Sequence, residues 1–381
     1  MTTVKHKSCK KKTNKREYLF HPYELAFTGH SGSGKTKLIT RLIKILSEHM
    51  SIAYIKHDAH FFEMDHEGKD TDKAWKSGAS CVSITDKDHT ALIQNGIPNK
   101  ICSPLPFLQA DIAFIEGYKD FATKKILVLD AENTVLEGLS ESSIESIVAY
   151  VGENSQAPNL PSGVPYFQRD QIEAIKNFIL NSFQEQVKAI PLYGLLLAGG
   201  FSTRMQTDKA LLKYSEKTQT EIGYELLDSV CESSYVSVRS EQWDSSMFPE
   251  LPRIEDRFLD FGPMGGILSA MHAHPEAAWL VIACDLPYLN PFTLEHLIEH
   301  RNPLNFASAY KSSSNRLPEP LCAIYEPKAY AELFKFVGMR KTCPRCFLRH
   351  VPTNLLTLPD TNALDNINTV EEYEQCIMNR A

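Results

Sequence analysis

The chain has 381 residues, 40 Lys and Arg against 47 Asp and Glu, and 43% hydrophobic residues. At about 150 residues per domain, that length predicts two or three domains, and the ordinary apolar fraction excludes disorder, collagen and fibrous repeats as the main body. The net charge of −7 is uneven: residues 1–16 hold seven basic side chains (Lys5, Lys7, Lys10, Lys11, Lys12, Lys15, Arg16) and no acid, which leaves −14 on the rest and excludes a protein whose main task is to coat nucleic acid.

No run approaches the roughly 18 apolar residues of a membrane helix. The basic N-terminus has no apolar segment behind it, so neither a membrane span nor a secretory signal is expected. Nine cysteines are scattered through a chain too large to need a disulfide framework, which points to a reduced, cytoplasmic compartment. Cys81, Cys231, Cys284 and Cys322 lie in apolar surroundings and read as small core residues. Cys343 and Cys346 form a single CxxC pair, read as two incidental thiols rather than a zinc site.

Along the chain, residues 1–22 read as a basic flexible tail. Apolar, β-rich runs then recur between helical patterns: Leu25–Thr28, Ile52–Lys56, Val82–Thr85, Ile112–Glu116, Ile126–Leu129 and Ile147–Val151, then Leu195–Ala198, Tyr235–Val238, Leu280–Ala283 and Leu321–Tyr325. The alternation predicts two three-layer α/β domains with mostly parallel sheets, whose ligands bind at the carboxyl ends of the strands. Residues 152–169 are rich in Pro, Gly and Asn and invite a boundary. Beyond them, however, Ile172, Ile175, Phe178, Ile179 and Phe183 have amphipathic helical spacing and close the first domain. The expected division is 23–184, a linker 185–191 carrying Pro191, and 192–381.

Gly29-His-Ser-Gly-Ser-Gly34-Lys35-Thr36 stands between a predicted strand and a predicted helix over 37–50 and matches the phosphate loop GxxxxGK[ST] in full. Gly29, Gly32, Ser33 and Gly34 let the backbone curl its N–H groups toward phosphate oxygens. Lys35 is placed to neutralise the β- and γ-phosphates, and the Thr36 hydroxyl to hold Mg2+. Such a site also needs a carboxylate at a neighbouring strand end. Glu116, just before Gly117, supplies one unless it merely ends its strand, and Asp58 is a second candidate. His57-Asp-Ala-His60-Phe-Phe-Glu-Met-Asp65 and Gly68-Lys-Asp-Thr71 crowd histidines and acids that alone could be metal ligands or a polar loop.

Together with Glu116-Gly-Tyr-Lys119, these segments resemble the GTP-binding adapter protein of molybdopterin-guanine dinucleotide biosynthesis, over about residues 23–183. The resemblance implies a P-loop NTPase-like domain that binds GTP, hydrolyses it slowly at best and assists a partner enzyme.

The second glycine loop, Leu195-Leu-Leu-Ala-Gly199-Gly200-Phe-Ser-Thr-Arg204-Met-Gln-Thr-Asp208-Lys209, lacks the GK[ST] ending. Its adjacent glycines expose N–H groups, and Arg204 and Lys209 add two cations suited to a departing pyrophosphate. Asp285, in Val281-Ile-Ala-Cys-Asp285-Leu-Pro-Tyr288, either ligates Mg2+ at a strand end or caps the following turn. Asp256 and Asp260 precede Gly262-Pro-Met-Gly265-Gly266, which opens a helix and offers backbone donors. Asn366 and Asn368 read from the residues alone as helix caps.

LAGG…RM…DK, GPMGGI, CDLPYL and NINT, in this order, resemble the molybdenum cofactor guanylyltransferase, with a nucleotidyltransferase (Rossmann-like) fold, over about residues 192–376. The resemblance implies that Leu197, Ala198, Gly199, Gly200 and Lys209 contact GTP, that Asp256 approaches the nucleoside and that Asp285 binds Mg2+. Gly262, Gly265, Asn366 and Asn368 become candidates for the pterin side of the site. Gln206 departs from the family's RMG, and a side chain there is strained if that position needs a positive φ.

Both resemblances together imply a fusion in which GMP passes from GTP to molybdopterin or Mo-molybdopterin. Molybdenum insertion proteins and acceptor molybdoenzymes are the implied partners. Two alternatives stand beside this: a cytidylyltransferase for the same pterin, whose relatives tend to read LAAG, and a non-catalytic nucleotide or pterin carrier.

Overall fold

The computed structural model describes residues 18–56, 67–94, 105–118, 121, 123–138, 144–154, 160–161, 163–198, 209–213, 216–240, 242–243, 247–367 and 372–374. Residues 18–178 form one compact unit and 179–381 belong to a second. Both are α/β.

The first unit begins with strand β1 (Glu24–Thr28), helix α1 (Lys35–Leu46) and β2 (Ile52–Lys56). Helix α2 (Asp70–Lys76), β3 (Cys81–Thr85) and β4 (Thr90–Gln94) follow. Next come β5 (Ile112–Glu116), β6 (Lys125–Val128), β7 (Ile147–Gly152), β8 (Tyr166–Gln168) and helix α3 (Ile172–Lys188), which runs past the division after residue 178. Six strands form an all-parallel sheet in the order β2-β5-β1-β6-β7-β8. Strands β1, β5 and β6 are buried along their whole length, as their unbroken apolar runs require of a sheet covered on both faces. Helix α1 buries Leu38, Ile39, Leu42 and Leu46, one stripe at helical spacing. Because β1 lies between β5 and β6, the chain turns to opposite sides at its carboxyl end, where α/β sheets bind ligands.

Three expectations change here. Val82–Thr85 does not join the parallel sheet: β3 pairs antiparallel with β4 as a separate hairpin. The cause is local, since the Asp86 carboxylate accepts from the backbone N–H of Asp88 (2.7 Å) and His89 (2.6 Å) and tightens the turn. Cys81, expected in a core, is therefore exposed on this hairpin, whereas Cys322 is buried and Cys231 and Cys284 are half-buried. The expected linker 185–191 is helical as far as Lys188, because Glu185 and Lys188 continue the polar face of α3 and pair at 3.1 Å.

The second unit is built on β9 (Leu192–Leu197), α4 (Gln219–Asp228), β10 (Ser233–Val238), β11 (Arg253–Glu255), α5 (Pro263–Ala273) and β12 (Ala278–Ala283). It continues with α6 (Pro291–Glu299), β13 (Ala307–Lys311), β14 (Pro318–Tyr325), α7 (Ala329–Gly338), α8 (Pro344–His350) and β15 (Thr353–Leu356). Its seven-stranded sheet has the order β11-β10-β9-β12-β14-β13-β15. Only β14 runs antiparallel to its neighbours. Helices cover both faces. Gly194 and Leu196 of β9 meet α4 at Leu227 and Gly223, while Leu197, next along the strand, meets α5 at Gly266. Strand β9 lies between β10 and β12 and marks the second turning point.

Candidate functional site

In the first unit, Gly29, Gly32 and Gly34 have φ of 150°, 76° and 84°, the left-handed region in which only glycine is unstrained. At Gly29 a Cβ would also stand 2.3 Å from the Val128 carbonyl oxygen. Ser33 is buried, and its hydroxyl has no hydrogen-bond partner among the described residues. Lys35 folds over the loop and donates to the carbonyls of Gly29 (3.0 Å) and His30 (2.6 Å). Burial pushes the Lys35 ammonium below its ordinary range, while nearby Glu116 pulls it back up.

The Thr36 hydroxyl donates to the Glu116 carboxylate at 2.9 Å, so the hydroxyl and carboxylate singled out in the sequence meet at one point. Two residues not singled out there complete it. The Tyr54 hydroxyl donates to Glu116 at 2.7 Å and Lys56 pairs with it at 3.7 Å. Both lie on β2, two residues apart and so on one face, an alternation visible in Ile52-Ala-Tyr-Ile-Lys56 but without chemical meaning until β5 is known to be its neighbour. Burial and the Glu116 bond push the Tyr54 phenol well above its usual range. Asp58 and the His57–Asp65 cluster lie outside the described residues.

In the second unit, the ends of β9, β10, β11 and β12 converge. The Ser237 hydroxyl at the end of β10 donates to Asp256 at 2.6 Å. Burial raises the Asp256 pKa, against the Ser237 bond and the neighbouring Arg239 guanidinium, which lower it. Gln242 donates to the Ala198 carbonyl at 2.8 Å and accepts from the Arg239 N–H at 3.1 Å. This ties the exit of β10 to the start of the glycine loop. Gly265 and Gly266 allow α5 to press into the site: a Cβ at Gly265 would stand 2.2 Å from the Phe258 carbonyl oxygen, and one at Gly266 2.5 Å from the Ser237 hydroxyl. Gly262 caps α5 with φ 54°.

Asp285 is half-buried just past β12, and its carbonyl accepts from the Ile367 N–H at 3.2 Å. The segment of Asn366 therefore reaches the same sheet edge as Asp285, and the helix-cap reading is not needed to place it there. Gly199, Gly200, Arg204, Gln206 and Asn368 lie outside the described residues. For Lys209 the description covers the backbone, in a short 3-10 turn over Lys209–Leu211. Ser237, Arg239 and Gln242 were not singled out in the sequence. The signal available was Ser237 and Arg239 alternating at the end of an apolar strand.

No group of three or more His, Cys, Asp or Glu among the described residues is arranged to hold a metal. Cys81, Cys231, Cys322, Cys343 and Cys346 are free thiols, and the Cys346 N–H donates to Cys343 Sγ at 3.1 Å. Among the described residues, no helix is long and apolar enough to cross a membrane.

Comparison with known proteins matches residues 194–354 to the MobA-like NTP transferase domain and residues 24–153 to Molybdopterin guanine dinucleotide synthesis protein B. The chain is 30% identical over 200 residues to a probable molybdenum cofactor guanylyltransferase of Methanosarcina mazei, covering 48% of this chain and 88% of that one. The chain belongs to the molybdenum cofactor guanylyltransferase family. It is also similar to a molybdenum cofactor biosynthesis bifunctional protein of Synechocystis sp., with 37% identity over 189 residues, 50% of this chain and 54% of that one. The chain thus spans about half the length of that relative. A molybdopterin-guanine dinucleotide biosynthesis adapter protein of Haemophilus influenzae is 32% identical over 116 residues, covering 29% of this chain and 65% of that one. The guanylyltransferase match places Asp256 and Asp285 within the family domain, and the second match places the Gly29–Thr36 loop and Glu116 within the other.

Proposed function

We propose that the second unit transfers GMP from GTP to molybdopterin or Mo-molybdopterin, releasing pyrophosphate, and that the first unit binds a second GTP and assists the transfer. The observation that carries this reading is the convergence of Ala198, Asp256, Asp285 and the Asn366 segment at one sheet edge, in a chain of the guanylyltransferase family.

In the reaction, a terminal phosphate oxygen of the pterin attacks the α-phosphorus of GTP. The bond between the α-phosphorus and the bridging oxygen breaks, and its electrons leave with pyrophosphate. The attacking oxygen is already anionic, so no general base is needed. Backbone N–H groups after Leu197 hold the nucleotide, Asp256 faces its nucleoside, and Arg204 and Lys209 neutralise the leaving group. Gly262 and Gly265 expose the start of α5 to the pterin side, and Asn366 and Asn368 are further candidates for contact with the pterin.

Mg2+ suits both sites, since it takes one or two carboxylates and completes its shell with phosphate oxygens and water. A single strand-end carboxylate such as Asp285, or the Thr36–Glu116 pair, is the donor set it uses. When bound, Mg2+ supplies positive charge against the reacting phosphates. In the first unit the partnerless, buried Ser33 hydroxyl suits an anion held inside the loop. The free thiols of Cys81, Cys231, Cys322, Cys343 and Cys346 suit a reduced cytoplasmic compartment, where insertion proteins and acceptor molybdoenzymes would be the partners.

Incubation with molybdopterin, Mg2+ and each of GTP, CTP and ATP, with pyrophosphate and dinucleotide product measured, tests the reading. Product from GTP is expected. Product from CTP alone overturns the base specificity, and no product from any nucleotide leaves the carrier reading.

A further inference from the structure

Cys343 and Cys346 stand at the start of α8, on either side of the half-buried Arg345, and both are exposed. Strand β14 runs antiparallel to β12, with Cys322 opposite Ile282, so its first residues lie at the carboxyl edge of the sheet. Arg345 ties the cysteines to that end of β14. Its Nε donates to the Pro318 carbonyl and its Nη2 to the Glu319 carboxylate, each at 3.0 Å. Phe347 and Leu348, the next two residues, are buried, so the pair is held against the sheet.

Local geometry aims the two sulfurs at each other. Cys343 is the N-cap residue of α8, in extended backbone (φ −88°, ψ 108°), and Pro344 opens the helix. A cap side chain turns back over the third helical residue, which here is Cys346. The Cys346 N–H donates to Cys343 Sγ at 3.1 Å, and the Cys346 thiol hydrogen-bonds the same sulfur.

These contacts make the two thiols unequal. Burial pushes the Cys343 thiol up, but the bonds from the Cys346 thiol and from the N–H groups of Cys346 and Arg345, with the Arg345 guanidinium, outweigh it. Cys343 is therefore held below the usual thiol range. Cys346 is raised, first by the bond it gives to Cys343. The half-buried Cys231 and the buried Cys322 are the contrast: burial pushes each thiol up to about 12, as in inert core cysteines.

We propose that Cys343 and Cys346 form a thiol–disulfide exchange site for low-molecular-weight disulfides, with Cys343 as the attacking sulfur and Cys346 as the resolving one. The Cys343 thiolate attacks one sulfur of a disulfide RSSR, forming a mixed disulfide and releasing RS−. Cys346 then loses its proton and attacks Cys343 Sγ. The bond between Cys343 and RS breaks, and a second RS− leaves. The two cysteines give up two electrons and two protons, and RSSR takes them up as two RSH. Glutathione and its disulfide are the probes.

The test exposes the reduced full chain to glutathione disulfide, quenches with acid, alkylates the remaining thiols and maps them by peptide mass spectrometry. The pair is expected to close into a Cys343–Cys346 disulfide at least about tenfold faster than the exposed Cys81 of the β3–β4 hairpin is modified. Excess dithiothreitol should restore both thiols. Cys346→Ser should stop at a glutathione mixed disulfide on Cys343. Cys343→Ser keeps a capping oxygen on α8, and modification of Cys346 in it should fall to about the rate of Cys81. If Cys343 and Cys346 react no faster than Cys81 and no bond forms between them, the proposal is overturned and the two thiols are incidental. If Cys346 in Cys343→Ser takes up glutathione as fast as Cys343 does in Cys346→Ser, the assignment of attacking and resolving sulfurs is overturned.

Discussion

Glycines and carboxylates decide most of what these two sheet edges can do. Gly34 has φ 84° beneath the Arg169 guanidinium, so Gly34→Ala places a methyl where both the backbone and a half-buried arginine resist it. The left-handed conformation alone costs about 1–2 kcal/mol. Denaturant unfolding should register that loss, together with loss of nucleotide binding in the first unit. Asp256 behaves oppositely. Burial raises its pKa, so the folded protein binds its proton more tightly than the unfolded chain does. The stability linked to that proton is present at low pH and lost as pH rises through the folded value. Asp256→Asn should therefore raise the melting temperature at pH 7, with a smaller gain at pH 4, while product formation falls by about tenfold or more. The glycines, Glu116 and Asp285 were legible in the sequence because a motif or strand end framed each. Tyr54, Ser237 and Gln242 were not, since their meaning comes from a neighbouring strand that sequence spacing does not name.

Helices and strands carry the same lesson. The long apolar runs that became β1, β5, β7, β9 and β12 were readable because burial on both faces demands unbroken apolar sequence. Short strands such as Tyr166–Gln168 and Arg253–Glu255 were not, because each is held by pairing to a strand already in place. Val82–Thr85 reads as a strand of the main sheet yet forms the β3–β4 hairpin, because apolar composition does not distinguish an exposed ribbon from a core. One element junction can be tested directly. Arg301, after α6, binds the fully buried Glu326, after β14, through two hydrogen bonds of 3.0 Å. Burial pushes the Glu326 pKa up and Arg301 opposes it. Arg301→Ala should destabilise the second unit by about 3–5 kcal/mol. The loss should be smaller at pH 5 than at pH 8, because Glu326 can then take up a proton.

The whole chain is acidic, with a net charge of −7, yet both proposed ligands are polyanions. Binding must rest on local groups: backbone N–H donors at two strand-to-helix turns, and the few cations placed beside them. Among the described residues, the second sheet edge brings together Ala198, Asp256 and Asp285, and the first pairs the Thr36 hydroxyl with Glu116. That difference is the basis for one transferring unit and one assisting unit. It is tested most directly by measuring dinucleotide product from GTP and molybdopterin with the Asp285→Ala and Lys35→Ala variants of the full chain. Asp285→Ala is expected to abolish product, and Lys35→Ala to leave part of it. Equal and complete loss in both variants would contradict the division.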